Sequence, residues 1–178
     1  QVYLDLSGTS LHVRGYRSRG SAAPLKENLA AAILYRADWP RIAKQGGAFV
    51  DFMCGSGTLP IEAALMACDI APGIDRDYYG MFGWAQHDAE LWQRLKKEAN
   101  ERRAEGLKLA PKIMGFDHHR STLERTSQHV AQAGLQKVIK IEHQDVFEFS
   151  AEVPENGLVV INPPYGHRLG KGEDLTPL

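Results

Sequence analysis

The chain has 178 residues, a formal net charge of −1 and 43% hydrophobic residues, which suits one globular domain with a buried core. It has no apolar run long enough to cross a bilayer and no charged-then-apolar signal segment, so we expect no membrane partner and a cytoplasmic location. Cys54 and Cys68 are too few for a zinc site or a disulfide framework, and the seven histidines lack ligand spacing, so we expect no metal.

The first segment, residues 1–19, alternates weakly between apolar and polar residues around Ser7-Gly8-Thr9. This pattern predicts a short hairpin, which would be a linker or the tail of a preceding domain. The chain is also locally basic between His12 and Arg41. Basic residues here suit contacts with RNA phosphates, but a solvated surface and a helix C-terminus that favours cations explain them equally well.

The main predicted domain covers residues 20–178. Pro24 opens its first helix, which places Leu25, Leu29 and Ile33 on one apolar stripe and ends near Trp39-Pro40.

A glycine-rich loop, Asp51-Phe52-Met53-Cys54-Gly55-Ser56-Gly57-Thr58, follows the predicted strand Ala48-Phe49-Val50 and precedes a helical segment. Two glycines permit a tight turn and a close approach of the backbone to a ligand, with a helix N-terminus just behind. The Gly-Lys-Ser/Thr sequence of a Walker A loop is absent, and Pro60 stands where a dinucleotide-binding fingerprint has its third glycine. The pattern therefore differs from both common phosphate-binding loops.

An insertion at about residues 69–111 follows. Its helix, from about Asp88 to Glu105, carries an apolar stripe and balanced charges, which favour a solvated helix face over a nucleic-acid surface. The stripe consists of Leu91, Trp92, Leu95 and Ala99.

Two further predicted strands each lead to an acid. The first, beginning at Lys112, leads to Asp117, and the second, beginning at Ile139, leads to Asp145. A carboxylate at the carboxyl end of a parallel strand can accept hydrogen bonds from ribose hydroxyls or an adenine amine. Either acid alone is also an ordinary helix cap or turn residue. Between the strands, Ser121 and Glu124 predict a capping box for a helix that ends at Gly134.

The last predicted strand, Leu158-Val159-Val160-Ile161, stops at Asn162-Pro163-Pro164-Tyr165 because proline has no N–H to donate. The Asn162 side-chain oxygen and the Pro163 carbonyl are two acceptors that suit the N–H groups of one exocyclic amine, and Tyr165 offers a flat face for stacking. Asn-Pro is also common turn chemistry. The whole order of elements predicts an α/β fold.

These motifs resemble those of S-adenosylmethionine-dependent methyltransferases. The glycine loop is similar to their motif I, with Phe52 in place of the usual proline, and Asn162 to Tyr165 are similar to their NPPY motif. With Arg14-Gly15-Tyr16-Arg17 and the run from Ala23 to Ala30, they resemble the THUMP-associated RNA guanine-N2 methyltransferases, in particular the bacterial enzyme that modifies large-subunit ribosomal RNA.

The resemblance implies a Rossmann-like fold with a mostly parallel sheet and S-adenosylmethionine as cofactor. Asp117 would hold the ribose and Asp145 the adenine amine. A flipped-out guanine would stack on Tyr165 and present its N2 amine to Asn162 and Pro163. The implied cofactor-binding residues are Asp51, Cys54, Gly55, Gly57, Thr58, Asp117, Asp145 and Asn162, and the implied catalytic residues are Asn162, Pro163, Pro164 and Tyr165.

The resemblance also implies that an RNA-gripping THUMP domain belongs to the full-length chain. The sequence shows four strand signals, at 48–54, 112–117, 138–145 and 158–162, against seven strands in the family. We therefore expect a fold that is incomplete at its C-terminus, with a sheet edge uncovered after residue 162, and hence an associated or marginally stable fragment.

Other functions stay open. DNA adenine, tRNA guanine and protein glutamine methyltransferases would share the residues from Asn162 to Tyr165. A nicotinamide dehydrogenase would need a third glycine and an acid nearer to the loop, whereas a non-catalytic RNA-binding module would need no cofactor pocket.

Overall fold

The computed structural model describes residues 2–17 and 25–163. The helices in these residues are α1 (Glu27–Arg36), α2 (Trp39–Lys44), α3 (Thr58–Ala67), α4 (Ala89–Lys108) and α5 (Arg120–Gln132), with a 3-10 turn at Gly80–Gly83. The strands are β1 (Ala48–Asp51), β2 (Ile113–Asp117), β3 (Ile139–His143) and β4 (Gly157–Val159).

The four strands form one parallel sheet in the order β3-β2-β1-β4. Phe49 of β1 lies opposite Ile113 of β2 and Leu158 of β4, and Asp117 of β2 lies opposite His143 of β3. The strand order reverses between β1 and β4, which is where open α/β sheets bind ligands beyond the carboxyl ends of their strands. The predicted α/β fold with a parallel sheet is confirmed.

The main core lies on one face of the sheet. Phe49, Ile113 and Ile139 contribute from the strands, α2, α3 and α5 cover them, and α1 packs on α2 and α3. Trp39 is fully buried, packs edge-on against Phe49 at 5.4 Å and donates a hydrogen bond from Nε1 to the Ala63 carbonyl at 2.9 Å. The interior position of α3 follows from its composition, because a helix that is apolar on all sides must be covered on all sides.

A smaller core covers the other face. Phe116 of β2 meets Phe52, which directly follows β1, and Phe149 from the β3–β4 connection. The ring centroids lie 4.8 to 5.9 Å apart. This connection, residues 144–156, contains bends and a turn but no helix or strand, and it contributes Phe149 and Ala151 to this face. Phe52, the departure from the usual proline, thus has a packing role.

The predicted N-terminal hairpin is wrong, because residues 2–17 form bends and turns without a strand. The segment makes contacts with later parts of the chain and does not form a hairpin with itself. The Leu6 carbonyl accepts a hydrogen bond from the Met81 amide at 3.0 Å, and Arg14 forms an ion pair with Glu62. That residues 1–19 are a linker or the tail of a preceding domain stays a prediction.

The predicted apolar stripe of the first helix is partly wrong, although Leu25 packs against the main core and Ile33 is half-buried, and Pro24 lies outside the described residues. The helix begins at Glu27, and its buried residues are Glu27, Ala30 and Leu34, whereas Leu29 is 51% exposed. The stripe is displaced because Glu27 is buried against Arg17, whose Nε lies 3.6 Å from its Oε1. This ion pair joins two separate segments, so helical periodicity could not predict it.

Helix α5 has one end that was predicted correctly and one that was not. Helix α5 begins at Arg120 with His119 as its N-cap, so the predicted capping box of Ser121 and Glu124 is wrong, although Gly134 ends the helix at φ +70° as predicted. Asp117 caps this end of the helix in place of the predicted pair, since its Oδ1 accepts a hydrogen bond from the amide of the N-cap residue His119 at 2.9 Å.

Helix α4 of the insertion forms as predicted, with Asp88 as its N-cap, and extends to Lys108. Its predicted stripe is partly wrong, because Leu91 and Leu95 are 38% and 49% exposed. Trp92 does pack, with its ring 5.1 Å from that of Tyr79. No helix in the described ranges is long and apolar enough to cross a membrane.

Candidate active site

The predicted site residues in the described part of the chain lie in a row at the carboxyl ends of the four parallel strands. In spatial order they are Asp145 beyond β3, Asp117 at the end of β2, the glycine loop beyond β1, and Asn162 beyond β4. Neighbouring strands lie about 4.8 Å apart, so this row is about 14 Å long. The first two acids therefore lie on adjacent strands at the same edge, as expected for one ligand that crosses the sheet.

The glycine loop has a backbone that only glycine adopts easily. Gly55 and Gly57 have φ values of +52° and +81°, and Gly57 is the N-cap of α3. A Cβ added at Gly57 would lie 2.7 Å from the Cγ2 atom of Thr126, whereas none of the described residues comes within 4 Å of one added at Gly55. The loop is therefore tightly packed behind Gly57 and open beside Gly55.

Asp117 joins the end of β2 to the glycine loop. Its Oδ2 accepts a hydrogen bond from the Gly55 amide at 3.0 Å, while its Oδ1 accepts that of His119. The residue is only 8% exposed. Each carboxylate oxygen has two acceptor sites, so this geometry leaves capacity for ligand hydroxyls.

Asp51 is a buried acid at the start of the loop, with 1% of its surface exposed. Burial raises the pKa of its carboxyl to about 7, and the nearby Asp117 carboxylate acts in the same direction. A hydrogen bond from the Met53 amide at 3.0 Å opposes this rise in the pKa. Asp51 is thus an acid that changes charge close to neutral pH.

Cys54 lies in the loop with its side chain turned toward β2. A Cβ added at Gly115 would lie 3.2 Å from both Cβ and Sγ of Cys54, so the thiol occupies the space that this glycine leaves. Burial raises the pKa of the Cys54 thiol well above its usual value. Because the thiolate is the reactive form, this geometry makes Cys54 a packing residue rather than a nucleophile.

Thr58, the first residue of α3, is held by the N-terminal segment. Its Oγ1 accepts a hydrogen bond from Nη2 of Arg17 at 2.6 Å and lies 3.3 Å from Oγ of Ser56. Arg14 is similarly turned inward, 3.4 Å from Glu62. These two arginines of the basic segment therefore have internal partners, which favours a structural role for them over phosphate binding.

Asp145 and Asn162 occupy the two ends of the row. Asp145 follows β3 by two residues, and its Oδ1 accepts the Phe147 amide hydrogen at 2.9 Å, the bond of an Asx turn. The chain after β4 continues beside β1 through a bond from the Val160 amide to the Val50 carbonyl at 3.1 Å, which brings the half-buried Asn162 next to the start of the loop. Pro163 is exposed, and Pro164 and Tyr165 lie outside the described residues.

Sequence reasoning missed two polar residues behind the loop, Thr126 and His129 of α5. Both are fully buried. The Thr126 hydroxyl donates to the Gly55 carbonyl, and Nδ1 of His129 lies 3.0 Å from the Ser56 carbonyl. The helical spacing of these two residues with Leu123 and Val130 could have indicated that they lie on the buried side of α5.

The described residues contain no group of three or more His, Cys, Asp or Glu side chains arranged to hold a metal ion.

Comparison with known proteins gives concordant results. Residues 14–178 match the family described as "RMKL-like, methyltransferase domain". The chain is 53% identical over 176 residues to Ribosomal RNA large subunit methyltransferase K/L of Allochromatium vinosum and 51% identical over 179 residues to the protein of that name in Syntrophotalea carbinolica. These alignments cover 98% of this chain but only 24% and 25% of the relatives, so the chain spans about a quarter of their length.

Solved structures agree in fold. SMU.472, crystallised in complex with SAH, superposes with a TM-score of 0.80 and 37% identity, over 97% of this chain and 42% of its own. A predicted N6-adenine-specific DNA methylase from Listeria monocytogenes gives 0.79 and 36%, over 94% and 42%. The Rossmann-like methyltransferase fold expected from the sequence is therefore confirmed, and the chain belongs to the family of RMKL-like methyltransferase domains.

Proposed function

We propose that this chain is the cofactor-binding part of a cytoplasmic S-adenosylmethionine-dependent methyltransferase that methylates the exocyclic N2 amine of a guanine in large-subunit ribosomal RNA. The observation that carries the proposal is the row of Asp145, Asp117, glycine loop and Asn162 along one sheet edge. The names of the curated relatives support the RNA substrate, and the SAH bound to SMU.472 supports the cofactor.

The residues present fit this cofactor. Its sulfonium would supply an electrophilic methyl group. The space beside Gly55 admits a ligand against the backbone, and the oxygens of Asp117 can accept ribose hydroxyls in addition to their present bonds. Asp145, at the outer end of the row, would accept from the adenine amine, as the resemblance implies. Asp51, whose carboxyl changes charge close to neutral pH, would lie close to the amino-acid end of the cofactor.

The acceptor amine would be oriented by the other end of the row. The Asn162 side-chain oxygen and the Pro163 carbonyl accept its two N–H hydrogens, which turns the nitrogen lone pair toward the methyl group. The acceptor nitrogen, once methylated by the bound cofactor, would lose its extra proton to solvent. No nucleophilic side chain is needed, so catalysis rests on positioning and charge complementarity.

Two further parts of the proposal lie beyond the described residues. Tyr165 would stack on the flipped base, whose unstacking costs about a few kcal/mol. An RNA-gripping THUMP domain in the complete protein would supply most of the RNA contacts, which agrees with the inward-facing Arg14 and Arg17.

A second candidate is methylation of the N6 amine of adenine in DNA. The Listeria monocytogenes protein, 36% identical, carries such a name. The chemistry is the same, because adenine N6 is also an exocyclic amine that two acceptors can hold. Transfer RNA guanine and protein glutamine present comparable planar nitrogens.

The test is a methyl-transfer assay with the complete protein, labelled S-adenosylmethionine and four substrates: unmodified large-subunit ribosomal RNA, transfer RNA, unmethylated DNA and a glutamine-containing peptide. Mass spectrometry of the digested product identifies the base. We expect N2-methylguanosine in ribosomal RNA and transfer about 10²-fold slower by N162A. N6-methyladenine in DNA would instead establish the second candidate.

A further inference from the structure

The back of the glycine loop contacts helix α5 through side chains that are polar and fully buried. Thr126 and His129 each have no exposed surface and each meets a different loop carbonyl, that of Gly55 and that of Ser56. Buried polar side chains on a helix that covers a sheet need a reason, since an apolar residue would fill the same space at lower cost.

The hydrogen-bond roles are fixed by the acceptors. A backbone carbonyl only accepts, so Nδ1 of His129 carries the hydrogen in its contact with Ser56. The Thr126 hydroxyl has one hydrogen and two carbonyls within reach, that of Gly55 and that of Thr122 at 2.9 Å in its own helix, and the Gly55 contact is the shorter. The methyl group of Thr126 also faces Gly57, where an added Cβ would lie 2.7 Å away.

These contacts orient the peptide groups of the loop. A trans peptide is planar, so its N–H points opposite to its C=O. The Gly55 carbonyl points to Thr126, and therefore the Ser56 N–H points away from α5. A Cβ added at Gly55 would meet none of the described residues within 4 Å, so there is open space beside this residue. Helix α5 thus contacts the loop carbonyls, and the Ser56 amide donor points away from the helix.

We propose that Thr126 and His129 are positioning residues for the cofactor. They hold the Gly55–Ser56 and Ser56–Gly57 peptides so that the Ser56 amide faces an anionic or acceptor group of the ligand, such as the carboxylate of its amino-acid part. This inference rests on the proposed function, because it needs the ligand of the loop to be S-adenosylmethionine or its product.

The test measures the affinity of the complete protein for SAH by calorimetry and its free energy of unfolding in denaturant. T126V removes the hydroxyl without changing the side-chain shape, whereas T126S keeps the hydroxyl. H129N places an amide donor near the position of Nδ1, whereas H129Q places it near Nε2. V130A is the control, because Val130 is buried in the main core on the same helix and its truncation destabilises without removing a hydrogen bond.

We expect T126V and H129Q to lose about tenfold in SAH affinity, the loss of one hydrogen bond, while T126S, H129N and V130A stay within about threefold of wild type. Unchanged binding by both T126V and H129Q, or an equal loss in V130A, would overturn the inference. If T126V does not fold, H129Q against H129N decides alone. Failure of the wild-type protein to bind SAH would overturn the proposed function and this inference with it, which separates the two results.

Discussion

The glycine loop and the Asn162 segment lie side by side at one edge of the sheet, yet they are held differently. The loop side, residues 51–58 with Asp117, is mostly buried and is bonded to β2, α5 and the N-terminal segment. The acceptor side, residues 159–163, follows the edge strand, with Val159 53% and Ile161 39% exposed. Changes on the loop side should therefore reduce stability and ligand binding together, whereas changes on the acceptor side should reduce chemistry alone.

The largest effect is expected at Gly57. G57A combines a positive φ, which costs about 1–2 kcal/mol, with the contact to Thr126, where overpacking costs about 1–3 kcal/mol. Unfolding in denaturant should show a loss of about 2–5 kcal/mol.

Gly46 provides the matched control for this substitution. Its φ is +80°, but the described residues leave open space within 4 Å of an added Cβ. G46A should therefore show the backbone cost alone. Equal losses in G46A and G57A would mean that α5 does not constrain the loop.

The next effect is a pH dependence at Asp51. Because its folded pKa is about 7 and its usual value is 3.8, the folded protein holds a proton that the unfolded chain releases between these values. The destabilisation by Asp51 is therefore absent at low pH, grows as the pH rises through this window and is complete above about pH 7.

D51N should remove this dependence. The free energy of unfolding of D51N relative to wild type should increase by about 3 kcal/mol from pH 4.5 to pH 8. Chemical denaturation at several pH values measures it. A difference that stays constant with pH would show that Asp51 is charged throughout and that the loop side carries no such cost.

On the acceptor side, N162A should lower the rate of methyl transfer by about 10²-fold, because the proposed contact is made to the reacting amine. Affinity for SAH should stay within a few-fold and stability should hardly change, since Asn162 is only half-buried. Single-turnover kinetics with calorimetry separates these quantities. A large loss of SAH affinity would place Asn162 at the cofactor instead.

The smallest effects compare two paired residues. Val50 of β1 and Val159 of β4 are register partners, but Val50 is 4% and Val159 is 53% exposed. V50T buries a hydroxyl and should cost about 1–3 kcal/mol, whereas V159T should stay within about 0.5 kcal/mol. Thermal and denaturant unfolding of both variants tests this, and similar losses would mean that β4 is covered in the complete protein.

The sequence predicted the parallel sheet well, because each strand is a short apolar run with a polar residue near its end. The roles of those polar residues in binding stay a prediction. The sequence placed the strand ends too far along, at 54, 145 and 162, where the structure ends the strands at Asp51, His143 and Val159. In the sequence, acids and amides that follow a strand cannot be told from its last residues. The difference lies in turn hydrogen bonds, such as the one that the Phe147 amide donates to Asp145, and these depend on the local geometry of the folded chain.

The contacts behind the site could not be predicted. Arg17 with Thr58 and Thr126 with Gly55 join residues 41 and 71 positions apart. Glu27 is buried and Leu29 is exposed because Arg17 of the N-terminal segment pairs with Glu27, and the sequence of the helix itself does not indicate this. Local periodicity reports which side of a helix is apolar on average, and it misses a polar residue that a distant partner pulls inside.

The three rings of Phe52, Phe116 and Phe149 have a consequence for how the two sides communicate. Phe52 follows Asp51 in the loop, and Phe149 belongs to the connection that leads to β4 and Asn162. A movement of that connection cannot occur without repacking a ring that touches the loop. Where a ligand on one side changes the packing of these rings, its coupling with a ligand on the other side is reciprocal, so each ligand changes the affinity for the other by the same factor. The order in which two such ligands bind is a matter of kinetics, while the size of their coupling is an equilibrium quantity.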